Sequence, residues 1–210
     1  MIENPRYLFD QKIRSEYKVN LIAGSDEVGR GAMAGPIVVV SAILKPEYNN
    51  SKIKDSKLLN EKQREELFEE IKENCISFSI CEYDSKFVDE FNPKKTSQIG
   101  MIDSIKKLDV KPDICLIDGE NIELEGYQCI QIIKGDNLSL TIAAASILAK
   151  VYRDRIMNNY HIKYPEYNFI KHKGYCTIDH QQRVEQYGIL DIHRFSYKPI
   201  KFLKEKQNEF

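Results

Sequence analysis

Three places in the sequence put carboxylates where an apolar run stops or a tight turn follows. Asp26-Glu27 comes after the apolar strand Leu21–Gly24 and before Gly29-Arg30-Gly31. Asp118 ends the apolar strand Asp113–Ile117 and is followed by Gly119. Asp136, in Lys134-Gly135-Asp136, follows the strand Tyr127–Ile133 and precedes a long helix. An acid at the end of a buried strand is costly to desolvate without a partner. Taken singly, each has an ordinary alternative, since Asp-Gly is a common turn pair and Asp136 could cap a helix. Two adjacent acids between an apolar strand and a glycine-rich turn are harder to explain that way. Carboxylates converging from separate segments suit a hard divalent cation, Mg²⁺ or Mn²⁺. Four of them could support two-metal phosphodiester hydrolysis, with cations roughly 4 Å apart and no nucleophilic side chain.

The elements that must position these acids alternate between strand and helix. Strands are expected at Asn20–Gly24, Ile37–Leu44, Cys75–Tyr83, Asp113–Ile117 and Tyr127–Ile133. Asn60 followed by Glu61–Lys72 reads as an Asn-capped amphipathic helix. Ser85–Phe91 and Ser97–Leu108 are helical in pattern, the second with Ile99, Ile102, Ile105 and Leu108 at helical spacing. Leu138–Asn158 is a long helix with a small-residue centre, Asp179–Tyr187 a further one, and the tail has a last helical stretch. The expected fold class is α/β, a mixed sheet covered by helices. At 210 residues the default is one domain, 1–210, with about 160–210 as a helical C-terminal extension of it.

The glycine-rich segment Gly24–Pro36 is neither a dinucleotide fingerprint nor a P-loop. A β-run follows its glycines rather than a helix, and no Gly-Lys-Ser/Thr occurs. Such glycines let the backbone approach a ligand closely. This segment resembles the opening motif of the ribonuclease HII family, the type 2 ribonucleases H. The resemblance continues along the chain. Asp55-Ser56-Lys57 followed by Leu59, then Asp118-Gly119 and Lys134-Gly135-Asp136, are similar to its acidic and lysine motifs. Ser139–Asp154, with Ile142-Ala143-Ala144-Ala145-Ser146-Ile147-Leu148-Ala149-Lys150, resembles its characteristic helix. His172-Lys173-Gly174-Tyr175 and Ile192-His193-Arg194 resemble its C-terminal motifs.

The resemblance implies a ribonuclease H-like fold and metal-dependent cleavage of the RNA strand of RNA–DNA hybrids. It also implies incision 5′ of ribonucleotides embedded in duplex DNA, leaving 3′-hydroxyl and 5′-phosphate ends, as in ribonucleotide repair and replication. Asp26, Glu27, Asp118 and Asp136 are the implied catalytic and metal-binding acids, for Mg²⁺ or Mn²⁺. Gly29, Arg30 and Gly31 are implied to read the ribose 2′-hydroxyl, the group that separates RNA from DNA. Tyr175 is implied to pack on the deoxyribose that follows. Ser146 and Lys150 share a helix face and suit a phosphate, and Lys57, Lys171, Lys173 and Arg194 are candidate backbone contacts, which position rather than specify. Departures from the family pattern are Leu58, Tyr152, Cys176 and Phe195, none at an acid. The arginine of Gly29-Arg30-Gly31 and the short stretch before the first strand favour this family over the ribonuclease HIII group. A binding module that has lost catalysis gains nothing from four acids facing a polyanion. A junction resolvase on the same fold is a third reading, separable by substrate.

Composition fits these expectations without deciding them. Apolar residues make up 42% and charged residues 30%, and the net charge is −1, which excludes a uniformly basic coat and a charged disordered chain. Residues 1–133 hold 18 basic and 24 acidic side chains, net −6, whereas residues 134–210 hold 13 and 8, net +5. Such asymmetry is a hint of polyanion binding. The N-terminus has no apolar signal-peptide core, and no run approaches the roughly 20 apolar residues of a membrane span. The five cysteines are odd in number, without CxxC or zinc-ligand spacing, and read as reduced thiols of a cytoplasmic protein. A monomer is expected, and the basic tail Lys201–Phe210 is a weak candidate for docking a replication partner. His172 and His193 are not required by the chemistry.

Overall fold

A computed structural model describes residues 4–54, 56 and 59–207. Lys57, Asp55 and Leu58, and the last residues of the tail, lie outside them. Nothing among the described residues is a helix long and apolar enough to cross a membrane.

Five strands form one mixed sheet in the order β3-β2-β1-β4-β5: β1 (Ile22–Val28), β2 (Ile37–Leu44), β3 (Cys75–Tyr83), β4 (Ile114–Asp118) and β5 (Cys129–Ile132). The α/β expectation therefore holds. β1 and β4 run parallel, with Ile22 opposite Ile114 and Ser25 opposite Ile117. β4 and β5 are also parallel, with Asp118 opposite Ile132. The β-branched run of β2 is buried along its whole length, as expected for a strand covered on both faces.

The helices are α1 (Pro5–Tyr17), α2 (Glu61–Asn74), α3 (Ser85–Phe91), α4 (Pro93–Lys106), α5 (Gly135–Leu138), α6 (Leu140–Lys163), α7 (Phe169–His172), α8 (Ile178–Tyr187) and α9 (Lys198–Gln207). The α2 start is a full capping box, Asn60 accepting from the Gln63 amide while the Gln63 side chain accepts from the Asn60 amide. The sequence carries little sign of α1, whose inner face buries just Asp10 and Ile13, with Phe9 packed partly buried beside them. Its task is visible at α6. Asp10 Oδ2 accepts from Thr141 N at 2.9 Å and Thr141 Oγ1 at 2.7 Å, so one helix supplies the carboxylate that caps another.

The chain packs as two compact units. The first comprises Met1–Val28, Val39–Cys81 and Gln98–Val151. Its core includes Ile13, Ile22, Ile114, Leu116 and Ile142, joining α1 and α6 to one face of the sheet. The start of α6 lies against β1 at Gly24, where a Cβ would come within 2.5 Å of Thr141 C and Ile142 N. Only glycine permits that backbone-to-backbone approach. The second unit comprises Gly29–Val38, Glu82–Ser97 and Tyr152–Phe210. Its core gathers Met33, Met157, Tyr167, Phe169, Val184 and Ile200.

Candidate active site

β1 does not stop at Gly24. It continues through Asp26 and Glu27 to Val28, so the two acids lie within the strand rather than after it. β4 pairs alongside it from Ile22 to Ser25, and the acids follow directly. Side chains two apart in a strand share a face, so Asp26 follows Gly24 on the side of α6. Gly24 meets α6 at Ile142, and one helical turn on, Ser146 hydrogen-bonds the Asp26 carboxylate.

Asp26 is buried, and its carboxyl is held well above the usual carboxylate range. Burial is the largest cause, followed by the negative charges of Glu27 and Asp118. The Ser146 hydroxyl and the Glu27 amide, which donates to Asp26 Oδ1 at 2.7 Å, oppose that rise. Three acids from two strands thus act on one another electrostatically. Asp118, the last residue of β4, accepts from Gly135 N at 2.6 Å through Oδ1. A Cβ on Gly135 would lie 3.2 Å from that oxygen and 2.5 Å from Ile142 Cδ1, so the amide reaches Asp118 because residue 135 has no side chain.

Asp136 is the next residue, in the first turn of α5, and is buried. Its Oδ1 accepts from Asn137 Nδ2 at 3.1 Å, and its carbonyl accepts from Arg6 Nε at 3.1 Å. Its link to the other acids runs through Gly135 and Asp118. Among the described residues, no three His, Cys, Asp or Glu side chains already surround a common point as a finished metal cage. The donor chemistry nevertheless fits a hard cation. It is all carboxylate oxygen, and the mutual repulsion felt by buried Asp26 is of the kind a cation relieves.

Ser146 differs from the phosphate ligand expected of it. It is 4% exposed, and besides Asp26 its hydroxyl partner is Ser56 Oγ at 3.2 Å. Its hydroxyl is engaged by the Asp26 carboxylate and by Ser56. Lys150, one turn further along α6, is half-buried.

In the second unit, Gly29 has φ 105°, a left-handed value suited to glycine. Arg30 is half-buried and Gly31 is exposed. Two fully buried arginines hold this turn by its carbonyls. Arg194 donates to Gly35 O through Nε at 3.1 Å and Nη2 at 2.9 Å, and to Arg30 O through Nη1 at 3.0 Å. The Tyr197 hydroxyl also donates to Arg30 O. Arg153 donates to Pro36 O, Ala34 O and Lys173 O at 2.8, 3.1 and 2.9 Å. Arg194 was expected to touch phosphate; instead its guanidinium is spent inside the protein on the turn. Burial lowers both guanidinium pKa values, that of Arg153 to about 10. The sequence held a signal for this, since a charged residue within an apolar helix, such as Arg153 after Val151, needs several acceptors.

Tyr175 is 36% exposed and forms an antiparallel bridge with Ala32, while the Arg153 guanidinium lies 5.4 Å from its ring centroid. Lys173, with φ 49°, donates from Nζ to Asn158 Oδ1. Lys171 and Cys176 are exposed, and Phe195 packs on the second unit's core. Ile200 and Leu203 of the basic tail are buried in that core as well.

Comparison with known proteins gives the family and the fold. The sequence pattern of the ribonuclease HII family matches residues 23–200. A ribonuclease HII of Mycoplasma capricolum is 50% identical over 202 residues, covering 96% of this chain and 98% of the relative. The crystal structure of the ribonuclease H2 from Pyrococcus horikoshii superposes with a TM-score of 0.79 at 25% identity, covering 90% of this chain and 100% of that one. The ribonuclease HII in a PCNA complex from Archaeoglobus fulgidus gives a TM-score of 0.72 at 25% identity, covering 85% and 95%. The chain belongs to the ribonuclease HII family and is an endoribonuclease of RNA–DNA hybrids.

Proposed function

We propose that the enzyme also incises duplex DNA on the 5′ side of single embedded ribonucleotides, leaving 3′-hydroxyl and 5′-phosphate ends. Asp26, Glu27, Asp118 and Asp136 are assigned to hold Mg²⁺ or Mn²⁺. When bound, such cations activate water and stabilise the leaving oxygen of an in-line displacement. The observation that carries this reading is buried Asp26 under pressure from Glu27 and Asp118. Ser146 and Gly135 N–H orient Asp26 and Asp118 respectively. Main-chain groups of Gly29-Arg30-Gly31 read the 2′-hydroxyl, an assignment supported by the buried arginines that keep the turn rigid. The Tyr175 ring covers the next sugar and disfavours a second 2′-hydroxyl by crowding. Lys150, Lys171, Lys173 and Lys57 supply phosphate contacts, which set salt-dependent affinity rather than sequence choice.

The reading includes a cytoplasmic monomer whose basic tail, Lys201–Phe210, meets a replication partner. The Archaeoglobus relative was solved with PCNA. The deciding experiment uses a duplex with one ribonucleotide. Nicking 5′ of it is expected with Mg²⁺ or Mn²⁺, with loss in excess EDTA and a fall of at least a thousandfold in Asp118→Asn, on the order of ~4 kcal/mol of transition-state stabilisation. Full activity in EDTA would sink the assignment of the acids to metal.

A further inference from the structure

Three of the four histidines are packed together in the second unit, outside the acidic cluster. The His172 and His180 rings stack at 4.1 Å between centroids. His180 Nε2 lies 3.1 Å from His193 Nε2. His180 and His193 are fully buried and His172 nearly so. The neighbouring hydrogen bonds fix which nitrogen carries each proton, since a neutral imidazole has one donor and one acceptor.

His180 Nδ1 faces the Tyr175 carbonyl at 3.0 Å. A carbonyl only accepts, so Nδ1 is protonated and Nε2 must accept. His193 Nε2, 3.1 Å away, must therefore be the donor to it, which leaves His193 Nδ1 an acceptor: of its two contacts at Leu190 it takes the amide at 2.9 Å and does not donate to the carbonyl at 3.2 Å. His172 Nδ1 accepts from the Gly174 amide at 3.2 Å, and its Nε2 lies 2.8 Å from Tyr167 O. The assignments are mutually consistent and define a single direction: Leu190 N–H to His193, His193 to His180, His180 to the Tyr175 carbonyl. A proton added at His180 Nε2 would set two donors against each other. That agrees with the low values for His180 and His193, about 3 and about 4, caused chiefly by burial.

The far end of this chain is the peptide that carries the Tyr175 ring. The Tyr175 amide donates to His172 O at 2.9 Å, so the residue is gripped at both its amide and its carbonyl. The adjacent Gly174 carbonyl receives the Met33 and Ala34 amides at 2.9 and 3.2 Å. Alternative anchors for the Tyr175 carbonyl are few, because Thr177 N, at 2.9 Å, is its other described donor and belongs to the same loop.

We propose that His180 is a positioning residue for Tyr175: with His193 it forms a one-way chain of neutral imidazoles that fixes the Tyr175 peptide and hence its ring. The proposal rests on the role given to Tyr175 above. It predicts an uncommon proton placement at His180, on Nδ1, with His193 and His172 protonated on Nε2.

The first measurement is a long-range ¹H–¹⁵N spectrum of the unsubstituted protein at neutral pH, which reports the protonated nitrogen of each imidazole and stands even where a variant fails to fold. A proton on His180 Nε2 overturns the proposal. The second measures kcat and KM on single-ribonucleotide duplexes and on long hybrids. His180→Phe keeps the ring shape but no hydrogen bond, and is expected to lower the single-ribonucleotide to hybrid activity ratio about tenfold, as Tyr175→Ala does. His180→Asn, whose amide replaces the Nδ1 donor, is expected to restore most of the ratio. An unmoved ratio in His180→Phe beside a reduced one in Tyr175→Ala overturns the positioning role alone. An unmoved ratio in Tyr175→Ala overturns the role of Tyr175 and the positioning role with it, while the spectrum reports the imidazole chain separately.

Discussion

Ser146 and Asp26 show one hydroxyl holding a buried carboxylate of the acidic cluster. The Ser146 hydroxyl donates to a carboxylate already loaded with the repulsion of Glu27 and Asp118. Hydrogen bonds to charged groups contribute roughly 1.5–3 kcal/mol, and misplacing a catalytic acid costs rate rather than binding. Ser146→Ala is therefore expected to lower kcat about tenfold or more while KM stays near its original value. Steady-state kinetics on a ribonucleotide-containing duplex checks this. A raised KM with unchanged kcat would return Ser146 to the phosphate-binding role that its i, i+4 spacing from Lys150 suggests. The spacing identified the helix face correctly. It could not reveal that β1 extends four residues further, to Val28, and brings Asp26 under that face.

At the scale of elements, the contact of α6 with β1 decides where the acids stand. Gly24 is the point of approach, and the atoms that a Cβ would strike are backbone, which cannot rotate away. Gly24→Ala is expected to destabilise the protein by about 3 kcal/mol or more, by overpacking. Gly31→Ala meets open space and should change stability by no more than about 0.5 kcal/mol. Paired thermal or urea melts test the contrast, and equal losses would refute it. Elements with strong periodicity or caps, such as β2, β3, α2 and α3, were legible in the sequence at their observed positions. β1 was read too short because acids and glycine at a strand end lack the apolar alternation that marks strands. α1 leaves a weak apolar pattern because one of its two buried residues is a carboxylate, Asp10, used as a cap for a helix more than a hundred residues away. Of the four acids, Asp118 ends its strand as the sequence suggests, whereas Asp26 and Glu27 lie within β1 and Asp136 opens α5. Arg194 was misread because a surface phosphate contact and a buried carbonyl clamp look alike in sequence.

For the molecule as a whole, the buried histidines tie stability to pH. His180 and His193 have pKa values of about 3 and about 4 in the native state, against about 6.5 when unfolded. Between those limits the unfolded chain binds protons that the native chain does not, so stability rises with pH. It is fully present above about 6.5 and drains away as pH falls toward 4. Asp10, raised by burial, works in the opposite sense, because its native form takes up its proton first. Comparing the protein with His180→Asn isolates the histidine contribution. The variant is expected to have a pH slope shallower by about 1.4 kcal/mol per pH unit in that window, read from urea melts between pH 6.5 and 4.5. Identical slopes would show that His180 is charged in the native state.

The clamp on the glycine-rich turn also bears on how the enzyme comes into being. Arg30 is held by Arg194 and Tyr197, which lie 164 and 167 residues further along. During synthesis all four carboxylates leave the ribosome well before those two side chains exist. A nascent or prematurely ended chain therefore carries the acidic cluster while the Arg30 carbonyl still lacks those two donors. On the proposed assignment of this turn to the 2′-hydroxyl, discrimination would be the last faculty such a chain acquires.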